Sequence, residues 1–202
     1  MEECSKGFIS VIIVYAVSLM YLFQNNTKFW GYIMLIIAYL FSYGYIYQFR
    51  EPLTKGAKVF AQYIHGGVED MTVNLSYSWI RRITNIFTEG AMYTIFMFSV
   101  LCIVFFSFYS LIKILNAYSF KSTKTGSFDL KLNKRHTKEL DLFNWSFIIG
   151  NVALYMFIYY LIVAGRDGVK FEPFKGFLFL VAFVSVWIET GAATEFSYIK
   201  RD

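Results

Sequence analysis

The sequence predicts an all-α, polytopic helical membrane protein of about five transmembrane helices, four being the alternative count, with amphipathic helices at the interface. Three observations lead there. The stretch 91–112, AMYTIFMFSVLCIVFFSFYSLI, carries no charge. As a helix it is about 33 Å long, enough to cross a hydrocarbon core of about 30 Å. Hydrophobic residues make up 57% of the chain and charged ones 16%, a more apolar and less charged balance than that of a soluble domain. The apolar residues also fall in long blocks between polar connectors, so residues 1–202 are expected to form a single membrane domain with no room for a separate globular one.

The first span is expected at about 7–23. Its N-terminal flank, MEEC, is acidic, and no small-residue cleavage site follows Phe23, so the span reads as retained rather than as a secretory signal. At this length it is short for a crossing, and four spans result if it lies flat. Gln24 to Lys28 is a tight connector, which predicts an antiparallel hairpin with a second span at about 29–49. Trp30 marks one boundary of that span. Tyr39, Tyr43, Tyr45 and Tyr47 crowd the other and read as an aromatic belt.

Residues 50–90 form an amphipathic connector. Leu53, Ala57, Phe60, Ala61 and Ile64 fall at helical spacing opposite Lys55 and Lys58, which predicts a short interfacial helix ending at Gly66-Gly67. Alternation over 72–78 predicts a short strand. Trp79, Ile80, Ile83, Ile86 and Phe87 then repeat at helical spacing with Arg81 and Arg82 on the other side, so Trp79, Arg81 and Arg82 are interfacial candidates. After the third span at 91–112, residues 113–142 make a basic connector with loop chemistry over 121–127 and a second strand pattern over 128–133. Spans four and five are expected at about 143–164 and 174–193, separated by Arg166-Asp167-Gly168 and Pro173. The density of Lys and Arg in the third connector favours a cytoplasmic location for it, with the N-terminus outside, in a multi-pass protein of the cell membrane.

Glu189 and Asn151 are the intramembrane polar candidates. A carboxylate at the centre of a bilayer costs about 2.5–3.5 kcal/mol or more and normally faces a partner or water. Glu189 therefore either serves a proton or cation pathway or marks the wet end of the fifth span, with Thr190, Gly191 and Thr194 favouring the wet end. Asn151 either contacts a ligand or joins helices by hydrogen bonding. Ser10 with Ser18, and Ser99 with Ser107, are each eight apart and allow close helix approach on one face. Lys121, Lys124, Lys131, Lys134, Arg135 and Lys138 are candidates for contact with anionic lipid or an acidic cytosolic partner.

Composition disfavours several functions. Cys4 and Cys102 are far apart and make no CxxC pair, which argues against thiol redox chemistry. Neither a zinc spacing nor a nucleophile elbow nor a phosphate loop is present, so no metal, cofactor or catalytic residue is assigned. No nucleic-acid recognition module accompanies the basic connector, and no nucleic-acid partner is expected. His65 with Glu69 or Asp70 is the one acid–base grouping, and Gly66-Gly67 argues against their sharing a helix. Three functions follow. The first is a non-enzymatic subunit that self-associates as a homo-oligomer in the bilayer and acts as sensor, pore or anchor for a cytosolic effector, as in a stress or defence response. The second is a small ion channel or carrier conducting through the bundle. The third is a lipid-modifying membrane enzyme.

Overall fold

The computed structural model describes residues 2–23, 28–73, 88–125, 134–169 and 172–199. Among these the chain forms six helices and no strand: α1 (Glu2–Phe23), α2 (Lys28–Gln48), α3 (Arg50–Val73), α4 (Glu89–Thr125), α5 (Lys134–Asp167) and α6 (Pro173–Ile199). Four segments are long and apolar enough to cross a bilayer: Phe29–Gln48, Glu89–Ala117, Lys138–Asp167 and Phe174–Tyr198. The apolar part of α1, Lys6–Leu22, is shorter. The outward faces carry large apolar side chains, among them Phe98, Leu101, Phe105, Phe174 and Trp187, the last 74% exposed. Exposed apolar surface on this scale belongs against lipid, and the protein is an all-α helical membrane protein.

Turn and cap chemistry sets the helix ends. Pro173 opens α6, where its missing N–H would have had no intrahelical partner. Gly168 follows α5 with φ of 65° and donates its N–H to Ala164 O at 3.0 Å, so a left-handed glycine terminates the helix. α1 and α2 run antiparallel, as the tight connector predicts: Gly7 lies against Tyr45 at one end and Gly31 against Leu22 at the other. α5 is the central helix. Of its span 61% is buried, against 28% for both α4 and α6.

The crossings define two ends of the bundle. Ser110 on α4 bonds Thr190 on α6, and Lys113 bonds Thr194, so these helices run parallel. The C-terminal ends of α4 and α6 and the N-terminal end of α5 share one end, here the basic end. At the other end α3 crosses α5 in the opposite sense, Pro52 against Gly165 and Gly56 against Leu161. The core follows the same division. Tyr32, Phe143, Phe147, Leu111 and Phe196 pack towards the basic end. Ala57, Phe60, Phe96, Phe157 and Leu161 pack towards the α3 end, with the ring of Phe60 edge-on to those of Phe96 and Phe157 at 4.9 and 5.1 Å.

Several expectations change. Gly66-Gly67 does not stop a helix; α3 continues through both to Val73. Each glycine costs about 1 kcal/mol relative to alanine in a helix interior, and the turns before them are anchored by buried Ala57, Phe60 and Ala61. The predicted strand over 72–78 begins instead as the last turn of α3, and its remainder lies outside the described residues, as do the 128–133 pattern and the second amphipathic piece with Trp79, Arg81 and Arg82. Residues 121–125, read as loop, continue α4. α5 begins at Lys134 rather than near 143, because Leu140 is buried against the basic-end core and extends the helix beyond its uncharged part. The tyrosine belt is divided: Tyr43 and Tyr47 are exposed, whereas Tyr39 and Tyr45 point into the core.

A fully buried hydrogen bond joins α2 to α5 in the core of the basic end, from Tyr32 Oη to Asn144 Oδ1 at 3.0 Å. Tyr32→Phe is expected to lower stability by about 1 kcal/mol, the usual worth of an interhelical side-chain bond in a membrane protein. A double-mutant cycle with Asn144→Leu, read by detergent unfolding, should give a coupling of similar size.

Candidate functional site

Glu189 lies ten residues before the end of α6 and is fully buried, at 0% exposure. The wet-end expectation for this residue is therefore wrong. α6 continues as helix past it, and the neighbouring helices cover its carboxyl. Thr190 and Thr194, which suggested an interface, turn their hydroxyls to Val186 O and Thr190 O, each at 2.8 Å. A hydroxyl bonded back to its own helix is satisfied without water, so threonine does not mark the end of a span.

Neither Glu189 Oε1 nor Oε2 has a hydrogen-bond partner among the described residues, and the same holds for Tyr39 Oη. Ser107 on α4 sits beside both groups without reaching standard hydrogen-bond geometry to either. Asn151, 4% exposed, donates through Nδ2 to Phe147 O at 2.8 Å and approaches Ser107 Oγ at 3.5 Å. Ser107 thus lies beside both intramembrane candidates, accepting from Asn151 at 3.5 Å and making no hydrogen bond to Glu189.

Further polar groups lie on both sides. Tyr155 lies within electrostatic range of Tyr39, and its hydroxyl meets that of Tyr15 at 3.3 Å, with Ser42 beside the pair. Towards the basic end Ser110 Oγ donates to Thr190 Oγ1 at 3.2 Å, and Lys113 Nζ donates to Thr194 Oγ1 at 3.2 Å. The Lys113 ammonium also lies over the rings of Tyr109 and Tyr198, at 5.4 and 5.8 Å, a favourable setting for a cation. Polar groups from α1, α2, α4, α5 and α6 therefore lie in the same part of the bundle as Glu189, the tyrosine pair and the Ser110–Thr190 and Lys113–Thr194 bonds forming separate groups. Glu189 and Thr194 are about 7.5 Å apart along the helix axis at 1.5 Å per residue.

This arrangement supplies one carboxyl group, several hydroxyls and an amide. Those groups can bind a proton or ligate a small cation, and they can pass a proton between hydroxyls. Among the described residues no group of three or more His, Cys, Asp or Glu comes together. His65 is half-buried on α3. Because α3 is continuous, positions 65 and 69 fall on one helical face, contrary to the glycine argument, while the side chains of Glu69 and Asp70 are not described.

Of the basic candidates, Lys138 is exposed on α5. Lys134 and Arg135 belong to the first turn of α5 and Lys121 and Lys124 to the last turns of α4, without described side chains. Lys131 lies outside the described residues. The paired serines also separate: Ser18 and Ser107 are buried, while Ser10 and Ser99 bond their own helices at Lys6 O and Ile95 O. Sequence reasoning missed Tyr15, Tyr39, Ser42, Ser110, Lys113 and Tyr155. A signal existed for the α4 members, since Ser107, Ser110 and Lys113 recur every three residues. For the tyrosines none did, because a tyrosine in a span reads equally well as an interfacial ring.

No protein-family model, curated protein or solved structure matches this chain.

Proposed function

We propose that the protein is a small membrane carrier or channel that moves a proton or a monovalent cation through its helical bundle, with Glu189 as the binding carboxyl. One observation carries this reading: a fully buried carboxyl group beside Ser107 of α4 and Tyr39 of α2, with neither oxygen hydrogen-bonded among the described residues. An ionisable side chain in that position is costly, and membrane proteins retain such groups chiefly on ion and proton pathways. The bonds Ser110–Thr190 and Lys113–Thr194 supply further polar groups on the next turns of α6 towards the basic end. Ser107 and Asn151 complete its immediate surroundings.

The test is flux in proteoliposomes, followed with an internal pH dye and with a potassium-sensitive dye. Wild type is expected to carry one of the two ions. Glu189→Gln is expected to lower the rate at least about tenfold, or about 1.4 kcal/mol in the barrier, and Asn151→Leu to lower it less. Absence of flux in wild type, or full flux in Glu189→Gln, refutes the proposal.

A self-associating sensor or anchor is the second reading, favoured by one feature. A groove between α1 and α2 is floored by Gly44, which has no described atom within 4 Å of where its Cβ would stand, with Ser10 and Gly7 on its other wall. Small residues on a lipid-facing surface admit a second helix closely. If copies meet there, Gly44→Phe is expected to shift a dimer to monomer in nanodiscs by mass photometry. An unchanged distribution refutes that contact.

A further inference from the structure

We infer that the ion taken up by Glu189 is a proton, held on its carboxyl as the neutral acid, and that sodium and potassium are not ligands of this site. This names the ion left open above, and it rests on Glu189 being the ion-binding group. The choice between a proton and a metal ion turns on how many oxygen atoms are free to face it. A proton needs one carboxyl oxygen. A metal ion gives up its hydration shell on entering a bundle and needs a set of protein oxygens in its place.

The oxygens beside Glu189 are largely committed elsewhere. Its own two and Tyr39 Oη have no hydrogen bond among the described residues. Ser107 Oγ already accepts from Asn151 Nδ2 at 3.5 Å, and the same amide nitrogen donates to Phe147 O at 2.8 Å. The amide therefore turns N–H towards the serine, a donor where a metal ion needs an acceptor. Thr190 Oγ1 donates to Val186 O at 2.8 Å and accepts from Ser110 Oγ at 3.2 Å. The backbone offers no more. Tyr39, Ser107, Asn151 and Glu189 lie inside α2, α4, α5 and α6, each continuous through the site, so their carbonyls are engaged by N–H groups four residues on. Metal-ion sites in transporters are built where helices break and unwound backbone frees its carbonyls, and none of these four helices breaks here.

The charges agree with the oxygens. Tyr39 from α2 and Ser107 from α4 bring hydroxyls to the carboxyl, and Asn151 from α5 brings an amide to Ser107. Tyr15 of α1 and Tyr155 of α5 hold each other at 3.3 Å. The ammonium of Lys113 on α4 is bonded to Thr194, about 7.5 Å along the helix axis from Glu189. An ionised Glu189 is thus left without an ion pair among these groups, and uptake of a proton removes the charge at the place where burial penalises it most. The neutral acid has one O–H to donate, and the hydroxyl of Tyr39 or Ser107 can accept it.

The experiment is infrared difference spectroscopy of the full chain in nanodiscs at neutral pH, wild type minus Glu189→Gln. Glu189→Met gives a second subtraction, and circular dichroism checks that both variants keep the helix content of wild type. Wild type is expected to show the carbonyl stretch of one protonated carboxyl. That band should be lost in both variants and kept in Glu195→Gln, whose parent residue is exposed on the next turns of α6. Transfer to deuterium oxide should shift the band, because a proton that is taken up must exchange with water. Replacing choline by sodium or potassium should leave it unchanged. The deuterium and cation differences are taken on wild type itself, so they do not depend on how either variant folds. The inference is overturned if the difference spectrum contains carboxylate stretches alone, if the band does not shift in deuterium oxide, or if either metal ion diminishes it. A protonated, exchanging acid in a protein that conducts nothing leaves this inference standing and removes the conduction proposal. Potassium flux that disappears in Glu189→Gln does the reverse.

Discussion

Glu189→Met is expected to make the protein more stable and to silence it. The carboxyl of Glu189 is fully buried, and neither oxygen has a hydrogen-bond partner among the described residues. Leaving a polar group buried and unsatisfied costs about 1–3 kcal/mol. Methionine has nearly the same length and volume and fills irregular gaps, so it removes that cost without opening a cavity. Unfolding of the variant in graded detergent, followed by tryptophan fluorescence, is therefore expected to move to higher denaturant by an amount in that range. Ion flux in liposomes should fall to background in the same variant. Glu189→Ala separates the two effects, because it removes the carboxyl but leaves a void, and its stability should fall below that of the methionine variant. A methionine variant less stable than wild type would mean that the carboxyl makes a net favourable contact in the folded protein. The placement of a buried, unsatisfied carboxyl would then lose its functional meaning. The stability half of this result does not depend on which ion moves, or on whether any does.

The membrane architecture was legible in the sequence because its signal is carried by long uncharged runs, and such runs have one favourable environment. The span over 91–112 lies inside α4, and the Arg166-Asp167-Gly168 end of α5 is marked by a glycine whose left-handed φ only that residue adopts freely. What local composition does not encode is where a helix stops once its neighbours hold it. Gly66 and Gly67 lie inside α3, and residues 121–125 inside α4, although each stretch looks like a terminator by propensity alone. The site was half legible. Glu189 and Asn151 stand out because charge and amide are rare inside a span. The position of Ser107 beside both, and the inclusion of Tyr39 and Tyr155, depend on which faces of four helices turn inward. On α2 the tyrosines at 39 and 45 face the core and those at 43 and 47 face out, a difference of helix rotation that a run of tyrosines does not reveal.

That dependence on rotation is sharpest where α3 meets α5, and there one residue type should give opposite results in a single helix. A Cβ on Gly56 would collide with the carbonyl oxygen of Leu161, and a Cβ on Gly165 would collide with that of Pro52. The two backbones approach so closely only because both positions lack a side chain, as at other small-residue crossings in membranes. Gly56→Leu and Gly165→Leu are each expected to lift the first turns of α3 from α5 and to withdraw Phe60 from Phe96 and Phe157, at a cost of roughly 3 kcal/mol, the upper part of the range for overpacking. Ten residues further on, Gly66 has no described atom within 4 Å of where its Cβ would stand. It lies in the helix interior with no positive φ, so Gly66→Ala relieves the entropy cost of glycine and should stabilise the protein by up to about 1 kcal/mol. Detergent unfolding of the three variants checks the signs. A cysteine placed at Ala61, which is fully buried, in a background lacking Cys4 and Cys102 reports the mechanism. Its reaction with a water-soluble maleimide should be slow in the parent and in Gly66→Ala, and fast in Gly56→Leu. Slow labelling with unchanged stability in Gly56→Leu would show that α3 does not rest on α5 at this crossing, and that Phe60 is held by its rings alone.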